Sequence, residues 1–346
     1  MTEGIRAEIA DAPPWRISDF LLRWETILFG MLAIVFIGDA FLSPYFLDID
    51  NLSDATSNFS EKAMIALGMA LLIMVREIDL SVAAIIALCS LAMGLAAQAG
   101  AGATTLVLIG LGVGALCGSF NGFLVAGIGL PSIVVTIGTM SLFRGIAQVA
   151  LGDQAISEYP PAFQALGQDY LIRWPPLHYS FSLFLVLAVV FGLVLHRTSL
   201  GRKLYAMGAN PVAAQFSGIP VERIKFGLFV LTGLLSGVAA IFLTARVGST
   251  RPNIALGWEL EVVTMVILGG VSIAGGSGTI PGVVIAVFVL GLVTFGLSLI
   301  NVPGIVISVI LGFLLIASIT LPILVRKIMA SLQSERETSA SSRAKH

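Results

Sequence analysis

The chain has 346 residues, 57% of them hydrophobic and only 11% charged, with a mean hydropathy of +0.99 and a formal net charge of −1. Soluble domains carry roughly a quarter charged residues, so this composition excludes a water-soluble globular fold and marks an all-α polytopic membrane protein. The balanced charge leaves no basic surface for nucleic acid, and none is expected as a partner.

Residues 1–25 lack a secretory signal, because Glu3, Glu8 and Asp11 stand where a basic region belongs. Trp15, Phe20, Leu21 and Trp24 recur near helical spacing beside Arg16, Asp19 and Arg23, which suits either a short cytoplasmic helix in the membrane interface or a solvated lead-in. A spanning helix needs about 20 mostly apolar residues. Punctuation by Gly, Pro and charge then gives ten candidate spans, at 26–43, 59–75, 80–99, 104–126, 131–151, 179–196, 226–245, 259–275, 279–299 and 304–325, the second and eighth being short. Together they form a transmembrane domain over 26–325, followed by a tail, 326–346, whose Ser, Glu, Lys and Arg content predicts disorder. Basic residues gather before the first span (Arg6, Arg16, Arg23), between the sixth and seventh (Arg197, Arg202, Lys203, Arg223, Lys225) and after the last (Arg326, Lys327, Arg336, Arg343, Lys345). The positive-inside rule puts these segments, and with them both termini, in the cytoplasm. The Pro-rich segment 152–178 then lies on the periplasmic side and is long enough for a docking surface.

Along the spans, Gly110, Gly114, Gly118 and Gly122 recur every four residues, and Gly233 and Gly237 repeat the spacing; such stripes let neighbouring helices approach closely. Cys89 and Cys117 sit in apolar runs and read as buried, inert thiols, so no disulfide or metal site is expected. Ionisable residues near spans are few: Asp39, Arg76, Glu77, Asp79, Arg144, Glu259 and Glu261. Most lie close enough to a span end to snorkel. Arg144 lies within the fifth span, where it meets either a hydroxylated ligand or a carboxylate. In the cytoplasmic segment 197–225, Val212–Phe216 forms a short helix bounded by Pro211 and Gly218. The glycine-rich stretch from Leu268 to Gly278 is either a tight cytoplasmic turn or a pore-lining break. No phosphate-binding G-x-x-x-x-G-K-[ST] loop occurs, so the chain binds no cofactor of its own and any ATP chemistry belongs to a partner.

Five motifs occur in order: E-I-D-L-S-V at Glu77–Val82, F-N-G-F-L-V at Phe120–Val125, P-S-I-V-V-T-I-G-T at Pro131–Thr139, G-R-K-L-Y-A-M-G-A-N-P-V-A-A-Q-F-S-G-I at Gly201–Ile219, and E-L-E-V-V-T-M-V-I-L-G-G-V-S-I-A-G-G-S-G at Glu259–Gly278. Across residues 55–325 the chain resembles the ribose-type inner-membrane permeases of bacterial ABC importers, the carbohydrate branch related to branched-chain amino-acid permeases. Arg76-Glu77 and Ala83 replace small residues and a glycine usual in that family, as in its rhamnose-type subgroup.

The resemblance implies a type II-like importer permease in the inner membrane, paired with a second copy or a sister permease. An ABC ATPase would carry ATP-Mg, and a periplasmic sugar-binding protein would deliver a pentose, hexose or deoxyhexose such as rhamnose. Ala206, Gly208, Asn210, Ala213, Ala214, Ser217, Gly218 and Ile219 match the family's coupling-helix pattern. Asp79, Ser81, Asn121, Ser132, Thr136, Thr139, Phe143 and Arg144 are the residues expected to line the translocation path. The alternative of a secondary transporter needs a coupling carboxylate near the midplane, whereas the acids here cluster toward span ends. An intramembrane enzyme needs convergent His, Asp or Glu residues, and His178, His196 and His346 all lie near or beyond membrane boundaries.

Overall fold

Apolar runs separated by glycine, proline and charge fold into a helical bundle, seen here in a computed structural model that describes residues 24–317 and residue 320. The segment before Trp24 and the tail 326–346 lie outside the described residues. In chain order the helices are α1 (Trp24–Leu42), α2 (Ile49–Met74), α3 (Val82–Gln98), α4 (Ala103–Gly122), α5 (Ser132–Leu151), α6 (Pro161–Gln168), α7 (Tyr179–Arg197), α8 (Ser199–Ala209), α9 (Pro211–Phe216), α10 (Val221–Val247), α11 (Trp258–Leu268), α12 (Ile280–Leu299) and α13 (Gly304–Ala317). Between α6 and α7 lies a hairpin of β1 (Tyr170–Arg173) and β2 (Pro176–His178), paired antiparallel with Tyr170 opposite His178 and Arg173 opposite Pro176.

Each of the ten expected spans coincides with a helix, but among the described residues only six helices are long and apolar enough to cross a membrane: α1, α4 with the π turn Phe123–Gly127, α5, α7, α10 and α12. The count of about ten therefore does not follow from length and composition, for three physical reasons. The 26-residue α2 begins ten residues before its expected start, N-capped by the Asp48 carboxylate on the Asp50 N–H, and its first half is polar. Helices α3 and α13 are short. Helix α11 has 11 residues and stops at Leu268, where Gly269 and Gly270 follow, the latter at φ +85°.

Helix α2 is the buried axis: every residue from Ala63 to Met74 is buried. Helix α10 crosses beside it and packs on α4 through the two glycine stripes. A Cβ on Gly233 would collide with the Gly114 carbonyl oxygen and lie 2.7 Å from Gly118 Cα, and one on Gly237 would lie 2.7 Å from the Gly110 carbonyl oxygen. The stripes are partners of each other, so the helix backbones meet directly and gain dispersion contact that side chains would prevent. Peripheral helices turn apolar side chains outward: Phe41 and Val149 are 89% exposed and Phe313 70%. That apolar exterior suits lipid.

The bundle has two distinct ends. At one, Trp24 Nε1 donates to the Leu268 carbonyl (2.8 Å), Thr279 donates to Glu25 (3.0 Å), and Tyr205 donates to the Gly278 carbonyl (2.7 Å). At the other, Ser53 donates to the Pro176 carbonyl (2.8 Å), His178 meets Asp54 (3.3 Å), and Ile156 pairs with Thr250.

Candidate functional site

Helices α8 and α9 form an elbow at the first of these ends. Thr198 caps α8 by accepting from the Gly201 N–H (3.4 Å), and Pro211 opens α9 at the position where its missing N–H costs nothing. The Asn210 side chain accepts from the Ala213 N–H at 3.0 Å, so its role within the elbow is that of an N-cap. Leu204, Met207 and Gly208 face the bundle. A Cβ at Gly208 would strike the Met74 carbonyl and the Gly276 N–H, which are themselves hydrogen-bonded at 2.9 Å.

The glycine-rich stretch after Leu268 is a turn. Gly270, Gly275 and Gly276 have φ of +85°, +82° and +75°, a region in which only glycine is unstrained, and Ser272 N–H closes the loop on the Ser277 carbonyl at 3.0 Å. The turn seats the elbow. Tyr205 donates to it, and burial pushes the Tyr205 phenol up from its ordinary pKa, keeping the proton that makes this bond.

Arg76 locks the assembly. Its Nε donates to the Gly208 carbonyl (2.7 Å) and its NH2 to the Ala209 carbonyl (2.8 Å), a cation on the C-terminal carbonyls of α8. Sequence reasoning placed Arg76 among residues able to snorkel and missed this contact; the signal available was its departure from the small residues usual in the family.

Of the eight residues matched to the coupling pattern, Ala206, Asn210, Ala213, Ser217 and Gly218 are exposed and Ile219 is half-buried. Gly208 and Ala214 are turned into the chain itself, Ala214 being only 4% exposed. The residues that do project outward were missed: Val212 at 60% and Phe216 at 89% exposure. Phe216, a lone aromatic in a two-turn helix outside the spans, was the legible signal.

Most of the residues expected along the path come together around the non-helical segment 77–81. Asp79 Oδ1 accepts from the Ser81 N–H (2.9 Å) and hydroxyl (2.6 Å), and Asn121 Nδ2 donates to Ser81 Oγ (2.8 Å) and Asp79 Oδ2 (3.5 Å). Ser132 accepts from the Ile78 N–H (3.3 Å), Thr136 donates to the Ile78 carbonyl (3.4 Å), and Thr139 donates to the Thr136 carbonyl (3.4 Å). Phe143 packs beside Phe120, ring centroids 6.5 Å apart. Asp79, Ser81, Asn121 and Thr136 are fully buried and their polar atoms are taken up mainly by one another, although Asn121 Oδ1 has no hydrogen-bond partner among the described residues.

Arg144 is turned onto backbone carbonyls, with the charge of the Glu259 carboxylate acting on it. It donates from NH1 to the Pro252 (3.0 Å) and Ile254 (2.6 Å) carbonyls and from NH2 to the Ala83 carbonyl (3.1 Å), joining α5 to the start of α3 and to the loop before α11. Segment 76–81 is thus held at one end by the elbow through Arg76 and at the other by the buried cluster, with Glu77 paired to Lys225 of α10 at 2.7 Å.

Residues 51–319 match the family described as "Branched-chain amino acid transport system / permease component". The chain is 35% identical over 300 residues to the autoinducer 2 import system permease protein LsrD of Escherichia coli K12 and of Shigella flexneri, covering 85% of this chain and 90% of each relative. The same protein of Escherichia coli O157:H7 is 35% identical over the same extent. No solved structure matches.

Proposed function

Because the chain belongs to the branched-chain amino acid transport system / permease component family, and so is a multi-pass transport subunit rather than an enzyme, we propose that it forms the translocation path of an ATP-driven, binding-protein-dependent importer of a monosaccharide. The substrate is a pentose, hexose or deoxyhexose such as rhamnose. Its relatives are named as permeases of an import system, which supports the direction of transport.

In this reading the ten helical segments cross the membrane, both termini and the elbow are cytoplasmic, and the hairpin end faces the periplasm and the binding protein. A second copy or a sister permease completes the path. The observation that carries the reading is the elbow: two short helices outside the long apolar ones, with Val212, Ala213 and Phe216 projecting from a base clamped by Arg76. An exposed apolar side chain flanked by small residues is the shape that enters a groove on a partner. Closure of an ATPase dimer would pull the elbow, and Arg76 would pass the displacement to segment 77–81 and its buried polar cluster.

The test is Ala213→Glu. A carboxylate at this exposed position leaves the fold alone but adds bulk and an unpaired charge to a closed interface, at a cost of roughly 2–5 kcal/mol. Co-purification of the ATPase and ATP-dependent uptake are expected to fall at least tenfold while membrane insertion is unchanged. Normal uptake with the ATPase still bound would overturn the docking assignment.

A further inference from the structure

A cavity of about 360 Å³ opens at the hairpin end of the bundle, between α2, α10, α11, α12 and α13, and Lys62, Arg246, Trp258, Glu261 and Thr294 are among its walls. None of these belongs to the buried cluster around segment 77–81. Lys225 and Arg246 lie in the first and last turns of α10, so the cavity is about 30 Å along that helix from the elbow. If the elbow meets the ATPase, the cavity is on the side that receives solute.

Its chemistry is specific. Lys62 pairs with Glu261 and sits 4.8 Å from the centre of the Trp258 ring. Arg246 donates to Glu61 (2.8 Å) and to Asn58 (2.6 Å), and the second oxygen of the fully buried Glu61 has no hydrogen-bond partner among the described residues. Charges at membrane depth are costly and are kept where they bind or pair. Here Lys62, Arg246 and Glu261 line the cavity, and Glu61, fully buried, pairs with Arg246 from behind the wall. Each cation is neutralised by its own carboxylate, which leaves little attraction for a net anion or cation, while the Glu261 carboxylate accepts from hydroxyls and the Lys62 ammonium and Arg246 guanidinium donate to them. The indole of Trp258 adds an apolar face for ring C–H groups. The volume lies at the small end of ligand pockets, roughly 300–1,000 Å³.

We infer that this cavity binds a neutral polyhydroxylated solute of monosaccharide size, as the receiving site of the path. The inference rests on the monosaccharide-import reading and gives that substrate a place in the chain.

The test uses the full-length chain with its ATPase in membrane vesicles. Thr294→Cys places a thiol in the cavity wall, and its modification by N-ethylmaleimide is timed against the unmutated chain, in which the buried Cys89 and Cys117 set the background. D-ribose, D-glucose or L-rhamnose is expected to slow modification about threefold or more, an occupancy effect readable at millimolar affinity. Trp258→Ala is expected to abolish the protection and Trp258→Phe to keep it. If Trp258→Ala fails to insert, Glu261→Gln is expected to weaken the protection instead. Absence of protection by all three sugars, or protection by L-leucine in their place, overturns the inference. ATP-dependent uptake measured on the same vesicles separates the two readings: uptake without protection overturns the cavity alone, whereas protection without ATP-dependent uptake supports the cavity and overturns the importer.

Discussion

A guanidinium carries five N–H donors and cannot shed its charge, so inside an apolar helix it must find acceptors. Arg144 finds three backbone carbonyls, those of Pro252 and Ile254 in a segment with no regular ladder to satisfy them and that of Ala83 in the first turn of α3. The side chain therefore does for the carbonyls of residues 252–254 what a cap does for a helix end. Arg144→Leu removes the donor from the half-buried Pro252 and Ile254 carbonyls at about 1–3 kcal/mol each, and a lower thermal midpoint and poorer accumulation of the detergent-solubilised chain are expected. An unchanged midpoint with uptake lost would return Arg144 to the solute path. The sequence exposed Arg144 as unusual, because a charge within an apolar run is visible locally. It left the partner open, because Pro252 and Ile254 are 108 and 110 residues away and carry no side-chain signal of their role.

Between elements, two contacts decide how motion and stability are shared. The first is the glycine contact of α4 with α10. Gly233→Ala sets a methyl against the Gly114 carbonyl, and the backbones must separate; roughly 1–3 kcal/mol of destabilisation is expected. Gly112 lies in the same helix with nothing within 4 Å of an added Cβ. Gly112→Ala, in α4, is accordingly expected to leave stability unchanged or raise it by up to about 1 kcal/mol, since alanine is the better helix former, and thermal midpoints of the two variants measured side by side decide whether the contact or the mere presence of glycine matters. The second contact is Arg76 on the end of α8. Arg76→Ala removes both bonds while leaving the exposed face of α9 intact, so ATPase co-purification is expected to persist and uptake per bound ATPase to fall. Loss of ATPase binding itself would show that Arg76 shapes the docking face rather than transmitting from it.

At the scale of the molecule, the two ends differ in kind. One gathers the elbow, the glycine turn and the start of α1; the other gathers the hairpin, the Thr250 loop and the charged cavity. Basic residues concentrate toward the first end, in the segment 197–225, which the positive-inside rule assigns to the cytoplasm. Gln154 and Gln215 are both exposed and sit at opposite ends. In right-side-out vesicles, Gln154→Cys is expected to react with an impermeant thiol reagent and Gln215→Cys to react only after permeabilisation. The reverse pattern would invert the orientation of the whole bundle and exchange the roles given to the cavity and the elbow.

The sequence alone determined where the main apolar helices run, that the chain belongs in a membrane, which glycines let helices touch and which residues resemble a coupling segment. These depend on composition and on regular spacing, and both are properties of neighbouring residues. Tertiary structure alone decided that Ala214 faces inward while Phe216 faces out, since a helix as short as α9 is too short for a period to reveal its buried side. It also decided that the stretch after Leu268 is a turn, because the groups that satisfy its backbone come from Tyr205 and from Met74. Finally it joined Lys62 to Glu261 and Arg246 to Glu61, pairs 199 and 185 residues apart, around one cavity. Charge pairing over such separations depends on how the helices pack, and packing is settled by the sum of many contacts that no local pattern records.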